Sequence, residues 1–332
     1  MATTGGQIYN LVDVAKSLDP QGNIAAVAEI LNETNEILQD IPWLEGNLPT
    51  GHRYTVRTGL PEAYWRLLNQ GIPKSKSSSK QVTESAGILE TQNQIDKDLA
   101  ELNGNTNEFF LREDKAFIES LSQELAAKLF YGNVSTDPEQ IMGLAPRYSD
   151  LSADNADHII NAGGTETDNT SIWVVVWKDD AVYGFYPKGS RAGLEQSRFQ
   201  NVMCKDENSN EFEGHKTIYK WKPGLAVADW RYVVRIPNID VSDLSTFNAD
   251  TDNSANLIRD LIKAYNKIPN IGSGRAVIYC NETVKTWLDI MAGEKNNVQL
   301  SIQEWAGQPV TTFWGVPIRK CDAILNTEEQ VT

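Results

Sequence analysis

The sequence predicts an α+β fold in which one long helix precedes a β-rich middle and a mixed α/β end. Over residues 108–131, apolar positions recur at seven and then four residues, which is typical of an amphipathic helix. Residues 172–236 are rich in β-branched and aromatic side chains, which favour strands. From residue 257 onward, helical spacing alternates with short apolar runs of strand length. A chain of 332 residues can bury a substantial core without disulfides or metals.

Ahead of the long helix, the sequence predicts a short helix and then a segment without its own core. Asp19 and Pro20 are typical of a helix cap and a first helical residue, and helical spacing continues to about Asp40. Residues 46–87 are rich in Gly, Pro, Ser and Lys, with one alternating strand at 53–57. Such a segment buries too little apolar surface to offset the entropy of ordering it.

The middle of the chain is predicted to be β-structure. Residues 172–177 and 182–186, joined by a turn at 178–180, are predicted to form a hairpin. Further strands are predicted at 217–221 and 230–236.

The C-terminal part is predicted to alternate helices and strands. A helix over 257–265 ends before Pro269, and a strand at 275–280 leads into a helix that Asn281 caps. Gly132 and Gly293 are placed to end the long helix and this last helix. Two final strands, at 309–313 and 316–321, are predicted to turn at Trp314 and Gly315.

Composition excludes several classes of function. The net charge is −15, which argues against a general grip on nucleic acid, because phosphate binding needs clustered Lys and Arg. The three cysteines are widely spaced and form no CxxC pair, which predicts reduced thiols in a cytoplasm. No apolar run approaches the length that spans a bilayer, and the first residues lack the pattern of a secretory signal.

No catalytic, metal-binding or cofactor-binding motif is predicted. His52, His158 and His215 are far apart and lack paired spacing, which favours ordinary polar roles. The Gly272-Ser-Gly274 run precedes a strand and lacks the lysine of a phosphate loop, so it is predicted to be a turn. Asp179 and Asp180 also lie in a turn, where aspartate is favoured for local hydrogen bonding.

The start of a calcium loop is present in the acidic link before the third helix. Asn248, Asp250 and Asp252 have the required spacing, but Asn253 and Arg259 stand where the motif requires Gly and Glu. The segment is therefore predicted to be a solvated link.

Nine tryptophans leave one remote alternative, a carbohydrate-active enzyme with a Trp-lined cleft. Trp173, Trp177, Trp221 and Trp230 lie inside predicted strands, however, where core or interface packing is the expected use. Trp65 is the exception, because nothing near it in the sequence can bury it.

Three blocks, taken in order, resemble the major capsid proteins of tailed bacteriophages, which share the Hong Kong 97-like fold with encapsulin nanocompartments. Residues 1–45 resemble the N-terminal arm of that family, 46–87 its extended E-loop and 108–131 its spine helix. The most specific block joins residues 274–281 (GRAVIYCN) to 312–319 (TFWGVPIR), which are similar to the axial-domain strand and the return to the peripheral domain. Residues 224–236 (GLAVADWRYVVRI) resemble the subgroup of short-tailed phages.

The resemblance implies a division of the chain and a function. The implied parts are an N-terminal arm and helix (1–45), the E-loop (46–88), a peripheral domain with the spine helix (89–150), a β-rich peripheral region (151–245), an axial domain (246–309) and a return strand (310–332). The implied function is not enzymatic: copies of the chain assemble as hexamers and pentamers into an icosahedral virion shell that encloses double-stranded DNA without sequence-specific binding. An encapsulin-like compartment shell is the alternative.

The resemblance also implies partners and a place of assembly. The expected partners are other copies of the chain, a separate scaffolding protein, a portal and a decoration protein. Assembly is expected in the cytoplasm of the host bacterium, with no membrane involved.

Charge distribution supports a contact between copies of the chain. Residues 46–88 hold six basic and two acidic residues, a net charge of +4, whereas 89–132 hold four basic and nine acidic residues, a net charge of −5. We expect the basic loop of one copy to lie across the acidic helix region of a neighbour, with aromatic and aliphatic anchors. The residues expected in this contact are Arg53, Tyr54, Val56, Arg57, Trp65, Arg66, Lys74, Lys76, Lys80, Glu108, Glu113, Asp114 and Glu119.

Overall fold

The structure, a computed structural model, describes residues 33–101, 106–205, 209–246, 257–293, 300–305 and 308–332. The described α-helices are α1 (Ile37–Asp40), α2 (Lys97–Glu101), α3 (Thr106–Tyr131), α4 (Leu257–Lys267) and α5 (Glu282–Gly293). The described strands are β1 (Trp43–Glu45), β2 (Gly51–Gly59), β3 (Ser78–Ser85), β4 (Leu89–Asp96), β5 (Asn169–Trp177), β6 (Val182–Tyr186), β7 (Glu195–Lys205), β8 (Glu211–Trp221), β9 (Gly224–Val227), β10 (Val233–Asp240), β11 (Arg275–Cys280), β12 (Leu300–Trp305), β13 (Gln308–Phe313) and β14 (Val316–Lys320). Helices and strands are mixed along the chain, as the sequence predicts.

A six-stranded sheet with the order β10-β5-β11-β14-β13-β12 lies at the centre of the molecule. All nine residues of β5 are buried, because apolar layers cover both faces of the sheet. Side chains alternate along a strand, so Trp173 and Val175 pack in the core that includes Leu129 and Phe130 of α3. Ile172, Val174 and Val176, on the opposite face, pack in a second core with residues of α4 and α5.

The predicted hairpin of β5 and β6 is wrong in its pairing, although both strands exist. Beyond a single bridge between Lys178 and Val182, the two strands belong to different sheets, and β6 pairs with β1 and β9. Gly184 makes room for this arrangement, because a Cβ there would lie 2.7 Å from side-chain atoms of Ile41 and Trp43. The chain segment before β2 therefore takes the place next to β6 in the sheet.

A third sheet, with the order β4-β8-β7, lies against α3. Phe117 of α3 stacks on Tyr219 of β8 with ring centroids 5.7 Å apart, and Phe110 meets His215 edge-on at 5.4 Å. The sequence predicts only the last five residues of β8, and it misses β4 and β7, whose residues are mostly polar.

Helix ends and one turn are confirmed. The Asn281 side chain accepts the Val284 amide at 2.9 Å, as expected of a helix cap. At the turn between β13 and β14, Trp314 has a φ of 46° and Gly315 a φ of 83°, as in the turns that join hairpin strands.

Other predictions were wrong or fall outside the described residues. Trp230 lies in a short 3-10 helix ahead of β10 rather than in the strand, because Asp229 caps that turn through the Arg231 amide. Most of the helix predicted from Asp19 onward, and the predicted link at 248–253, lie outside the described residues, although α1 does end at Asp40 as expected.

Candidate assembly interface

Strands β2 and β3 form a two-stranded extension within the predicted loop. They pair only with each other among the described strands, in a register that runs from Gly51 opposite Ser85 to Gly59 opposite Ser78. Residues 60–81 are all exposed. The prediction of a segment without its own core is confirmed by this exposure.

The extension is held firmly at its base. Arg147 makes two parallel hydrogen bonds to the Glu84 carboxylate, at 2.7 and 2.9 Å, and the Arg147 Nε donates to the Gly143 carbonyl at 3.1 Å. The Tyr54 hydroxyl lies 3.0 Å both from Glu84 Oε1 and from the main-chain oxygen of Val227. Burial and the Glu84 carboxylate raise the pKa of Tyr54, so its hydroxyl stays a donor. Because these groups join the extension to the body, its direction is fixed.

The tip of the extension is apolar and is not covered by any other described part of the chain. Trp65 is fully exposed, and Leu68 is 88% exposed. Four further large apolar side chains of the tip are also exposed: Leu60, Tyr64, Leu67 and Ile72. Exposed apolar surface of this kind marks an interaction site.

Basic side chains of the predicted contact are exposed along the extension. Arg53 donates to the Thr83 hydroxyl at 3.0 Å, and Arg66 to the Gln70 carbonyl at 3.3 Å. The others are Arg57, Lys74, Lys76 and Lys80, which make no ion pair in the described part of the chain. Tyr54 and Val56 are half-buried near the base rather than fully displayed.

The acidic side of the predicted contact differs from the expectation. Asp114 is buried and accepts from Arg198, Gln196 and Tyr219 of its own chain. Glu113 is also buried, and it pairs with Arg112 at 3.1 Å. The side chain of Glu108 lies outside the described residues.

Glu119 remains half-buried at the surface of α3. Its carboxylate accepts from the Glu33 amide and from the Gln123 side chain, both at 3.0 Å. Among the predicted acids whose side chains the structure describes, Asp114 is thus bound by strands β7 and β8, Glu113 is paired within the helix, and Glu119 alone stays near the surface.

A groove of about 490 Å³ beside α3 carries other acidic residues that the sequence does not single out. It lies between the helix, the start of β4 and the segment 322–325, and none of its described lining residues is basic. Its carboxylates are Glu33, Glu90, Glu124 and Asp322. Lysines outside the lining partly offset this charge: Lys128 reaches Glu124 at 3.6 Å and Lys320 reaches Asp322 at 3.2 Å, while Lys220 pairs with Glu90. Because these acids are far apart in the sequence, the sequence pattern did not predict the groove.

Histidines and tryptophans have packing roles. His52 contacts the Tyr183 hydroxyl at 2.9 Å, and His158 meets Trp230 edge-on at 5.0 Å. Trp173 and Trp177 are fully buried in the core, as predicted, so they cannot line a sugar-binding cleft.

All three cysteines are buried free thiols. No helix in the described ranges is both long and apolar enough to cross a membrane.

Comparison with known proteins agrees with this geometry. The family described as Major capsid protein GP7 matches residues 19–332. The chain belongs to this major capsid protein family. It is therefore a structural subunit of a tailed-phage capsid.

Solved structures show the fold of this capsid protein. A chain from the structure of bacteriophage Epsilon15 is 35% identical, with a TM-score of 0.73, and the match covers 100% of the capsid protein described here and 99% of that chain. A chain of the bacteriophage JBD30 capsid is 11% identical, with a TM-score of 0.50, over 88% of this chain and 91% of its own. A chain of the SrpI encapsulin complex of Synechococcus elongatus is 10% identical, with a TM-score of 0.43, over 64% and 91%. The capsid protein has no match among curated protein sequences.

The Hong Kong 97-like fold expected from the resemblance is confirmed by these structures. The family match also favours the phage capsid over the encapsulin-like alternative.

Proposed function

We propose that the chain assembles as hexamers and pentamers into an icosahedral shell around the double-stranded DNA of a tailed phage, without catalytic activity. Family membership supports the role in the shell. The extension, anchored at its base and exposed at its tip, supports the mode of assembly, because none of the described residues of the same chain covers Trp65. We assign β2 and β3 with their connecting loop (46–88) as the E-loop, and α3 as the spine helix of a peripheral domain (89–150 and 151–245). Residues 246–309 form the axial domain, and 310–332 return to the peripheral domain.

The tip of one copy docks beside α3 of its neighbour. The groove there is lined by four carboxylates, and the loop carries Lys74, Lys76 and Lys80. Opposite charges steer the two surfaces together and disfavour wrong registers. The buried Asp114 holds the sheet against the helix through Arg198, Gln196 and Tyr219, whereas the groove acids and Glu119 face the neighbour.

Apolar burial contributes more to this contact than charge does. Exposed ion pairs are worth about 0 to 1 kcal/mol each and weaken with salt. Burying a Trp side chain removes roughly 200 Å² of surface from water, which at about 25 cal/mol per Å² amounts to about 5 kcal/mol. Trp65 is therefore the principal anchor of the loop.

Replacement of Trp65 tests this anchor. We expect Trp65→Ala to lower the yield of shells and to make them fall apart at lower salt, as seen by sedimentation and negative-stain microscopy. Gln70→Ala, in the same exposed loop, is the matched control and leaves the yield unchanged. Shells of Trp65→Ala with the yield and salt resistance of the unmodified protein would show that the anchor assignment is wrong.

Charge reversal tests the groove. Glu124 lines it and is 51% exposed, so Glu124→Lys should fold and yet lower the shell yield. Reversal of Lys74 and Lys76 to Glu in the same chain should restore part of that yield, whereas Asp179→Lys, in an exposed turn outside the groove, should have little effect. An equal loss from Asp179→Lys, or no rescue by the double reversal, would place the partner of the loop elsewhere.

Assembly also uses other proteins of the phage. We infer a separate scaffolding protein, a portal and a decoration protein, with assembly in the cytoplasm of the host bacterium. The net charge of −15 supports enclosure of DNA without adhesion to the wall. Negative-stain microscopy of the purified protein, alone and with the scaffolding protein, tests the proposal: shells or capsomer rings support it, and a stable monomer under both conditions contradicts it.

A further inference from the structure

Three carboxylates converge where β5 begins and β10 ends. Glu166, Asp168 and Asp240 each place a carboxylate oxygen within 4.8 Å of the others. Strand register brings them together, since Asn169, next to Asp168, is the Cα partner of Asp240. Three negative charges at this spacing repel one another. The cluster therefore needs a positive charge to offset the repulsion.

The described part of the chain does not supply that charge. No lysine or arginine among the described residues forms an ion pair with Glu166, Asp168 or Asp240. These acids differ in this respect from the buried Glu328 and Asp114, each of which has an arginine partner.

Local hydrogen bonds orient two of the carboxylates and leave oxygens available. Asp240 Oδ1 accepts the Ser242 amide at 2.9 Å and the Asp243 amide at 3.2 Å, which leaves Oδ2 without a hydrogen bond in the described ranges. Asp168 Oδ2 accepts the Ser242 amide at 3.2 Å. The Glu166 side chain is exposed and makes no hydrogen bond with the described residues.

An independent observation points to a ligand at the same place. Asn169 is 0% exposed, and its Oδ1 accepts no hydrogen bond from the described residues. Its Nδ2 donates to the main-chain oxygen of Glu166. A Cβ built on Gly164 would lie 2.5 Å from the Asn169 Oδ1 and 3.1 Å from the Asp240 nitrogen, so this oxygen points into the loop that carries the acids. A buried acceptor left without a donor is costly, which makes a bound cation its natural partner.

We propose that Glu166, Asp168, Asp240 and the Asn169 amide oxygen bind one calcium ion. All the donors are hard oxygens, which suit Ca²⁺ or Mg²⁺ and not zinc. The donors come from an irregular loop and a strand end, a setting that fits the variable geometry of Ca²⁺ better than the strict octahedron of Mg²⁺. The ion ties loop 164–168 to the end of β10, beside the Asn169 carbonyl that accepts the Glu328 amide at 2.9 Å.

Calorimetric titration of the full chain, stripped of metal with a chelator, tests the site. With CaCl₂ we expect one ion per chain, and with MgCl₂ binding that is at least about tenfold weaker. Calcium should also raise the thermal midpoint of the stripped protein, because a ligand that binds only the folded state stabilises it. No calcium binding at millimolar concentrations, or equal affinity for Mg²⁺, would overturn the proposal.

Glu166→Gln is the decisive variant, because this side chain is exposed and holds no described contact that folding needs. We expect calcium affinity to fall by about tenfold or more, while the stripped variant melts no lower than the stripped unmodified protein, since the repulsion is relieved. A merely structural glutamate would lower the melting temperature instead. Asp179→Asn, an exposed acid in a turn, is the control and should leave calcium binding unchanged. Unaltered affinity in Glu166→Gln, or an equal loss in the control, would refute the site.

Discussion

Arg235 and Glu328 form an ion pair, with Nη2 and Oε2 2.8 Å apart, in which both side chains are 4% exposed. The guanidinium also donates to the Tyr148 carbonyl at 2.8 Å and to the Ser171 hydroxyl at 3.1 Å. The Glu328 carboxylate in turn accepts from the hydroxyls of Tyr131 and Ser171. The pair thus joins the end of the long helix, two central strands and the C-terminal segment.

Removal of the Glu328 charge should be costly. Glu328→Gln leaves the Arg235 guanidinium buried without a counter-charge, which is expected to lower the free energy of unfolding by about 3 to 5 kcal/mol. Urea denaturation of the subunit followed by tryptophan fluorescence measures the change. Glu329→Gln is the matched control, since Glu329 is exposed, and it should change stability by less than about 0.5 kcal/mol. If the two variants lost similar amounts of unfolding free energy, the Arg235–Glu328 ion pair would not have the stabilising role given to it here.

The base of the extension should depend on Glu84. Glu84→Gln removes the charged partner of Arg147, and hydrogen bonds to charged groups are worth about 1.5 to 3 kcal/mol, so we expect a loss of about 2 kcal/mol. Because the extension then loses its fixed direction, shell yield should fall as well. Glu62→Gln, in the exposed part of the same loop, serves as the control. If Glu84→Gln assembled normally, the anchoring role would be disproved.

Gly132 is predicted to tolerate no side chain. An added Cβ would lie 2.4 Å from the Ile141 carbonyl oxygen and 2.6 Å from that of Lys128, and both are backbone atoms that cannot move aside cheaply. Gly132→Ala should therefore cost about 1 to 3 kcal/mol in chemical denaturation. At Gly71, where nothing lies within 4 Å of an added Cβ, the same substitution should be nearly neutral. A neutral Gly132→Ala would show that the helix end can shift.

Stability should fall on mild acidification in part because of His158. Burial, and then the positive charge of Lys267, lower the pKa of His158 from its usual value near 6.5, against the weaker opposing effects of a hydrogen bond with the Val233 backbone and of Asp157 and Asp229. The unfolded chain therefore takes up a proton before the folded chain does, so this contribution is present above about pH 6.5 and is lost as the pH falls.

The His158→Phe variant tests this contribution. It keeps a ring against Trp230 and removes the titrating group, so its urea midpoint should fall less between about pH 7 and pH 5 than that of the unmodified protein. Parallel decreases in the two proteins would exclude His158 as a source of the pH dependence.

Local patterns predicted what is determined locally. The cap at Asn281, the helix stop at Gly132, the strand Arg275–Cys280 and the turn at Trp314 each depend on a few neighbouring residues, and each was found in the structure. The burial of Trp173 also followed from its place in an apolar run.

Long-range pairings were beyond sequence reasoning. Glu84 and Arg147 are 63 residues apart, and Arg235 and Glu328 are 93 residues apart, so nothing in the local pattern relates them. Strand β7 alternates no apolar residues and was missed for that reason. The buried state of Asp114 depends on Arg198 and Tyr219, which a charge count along the chain cannot reveal. The grouping of the four groove carboxylates could not be predicted for the same reason, because residues far apart in the sequence supply them.

Residues 60–77 connect β2 to β3, and all of their side chains are exposed. Because the two strands are held at their base, the folding of the subunit does not depend on the identity of these side chains. Mutations in this tip are expected to leave the single subunit intact and to be felt only where two subunits meet. Among related phages, we therefore expect the amino-acid sequence of the tip to vary widely, and each change in the tip to be accompanied by a matching change in the surface that it contacts. Such correlated substitutions, found by comparing many sequences, would identify the surface on which the tip docks without the isolation of a shell.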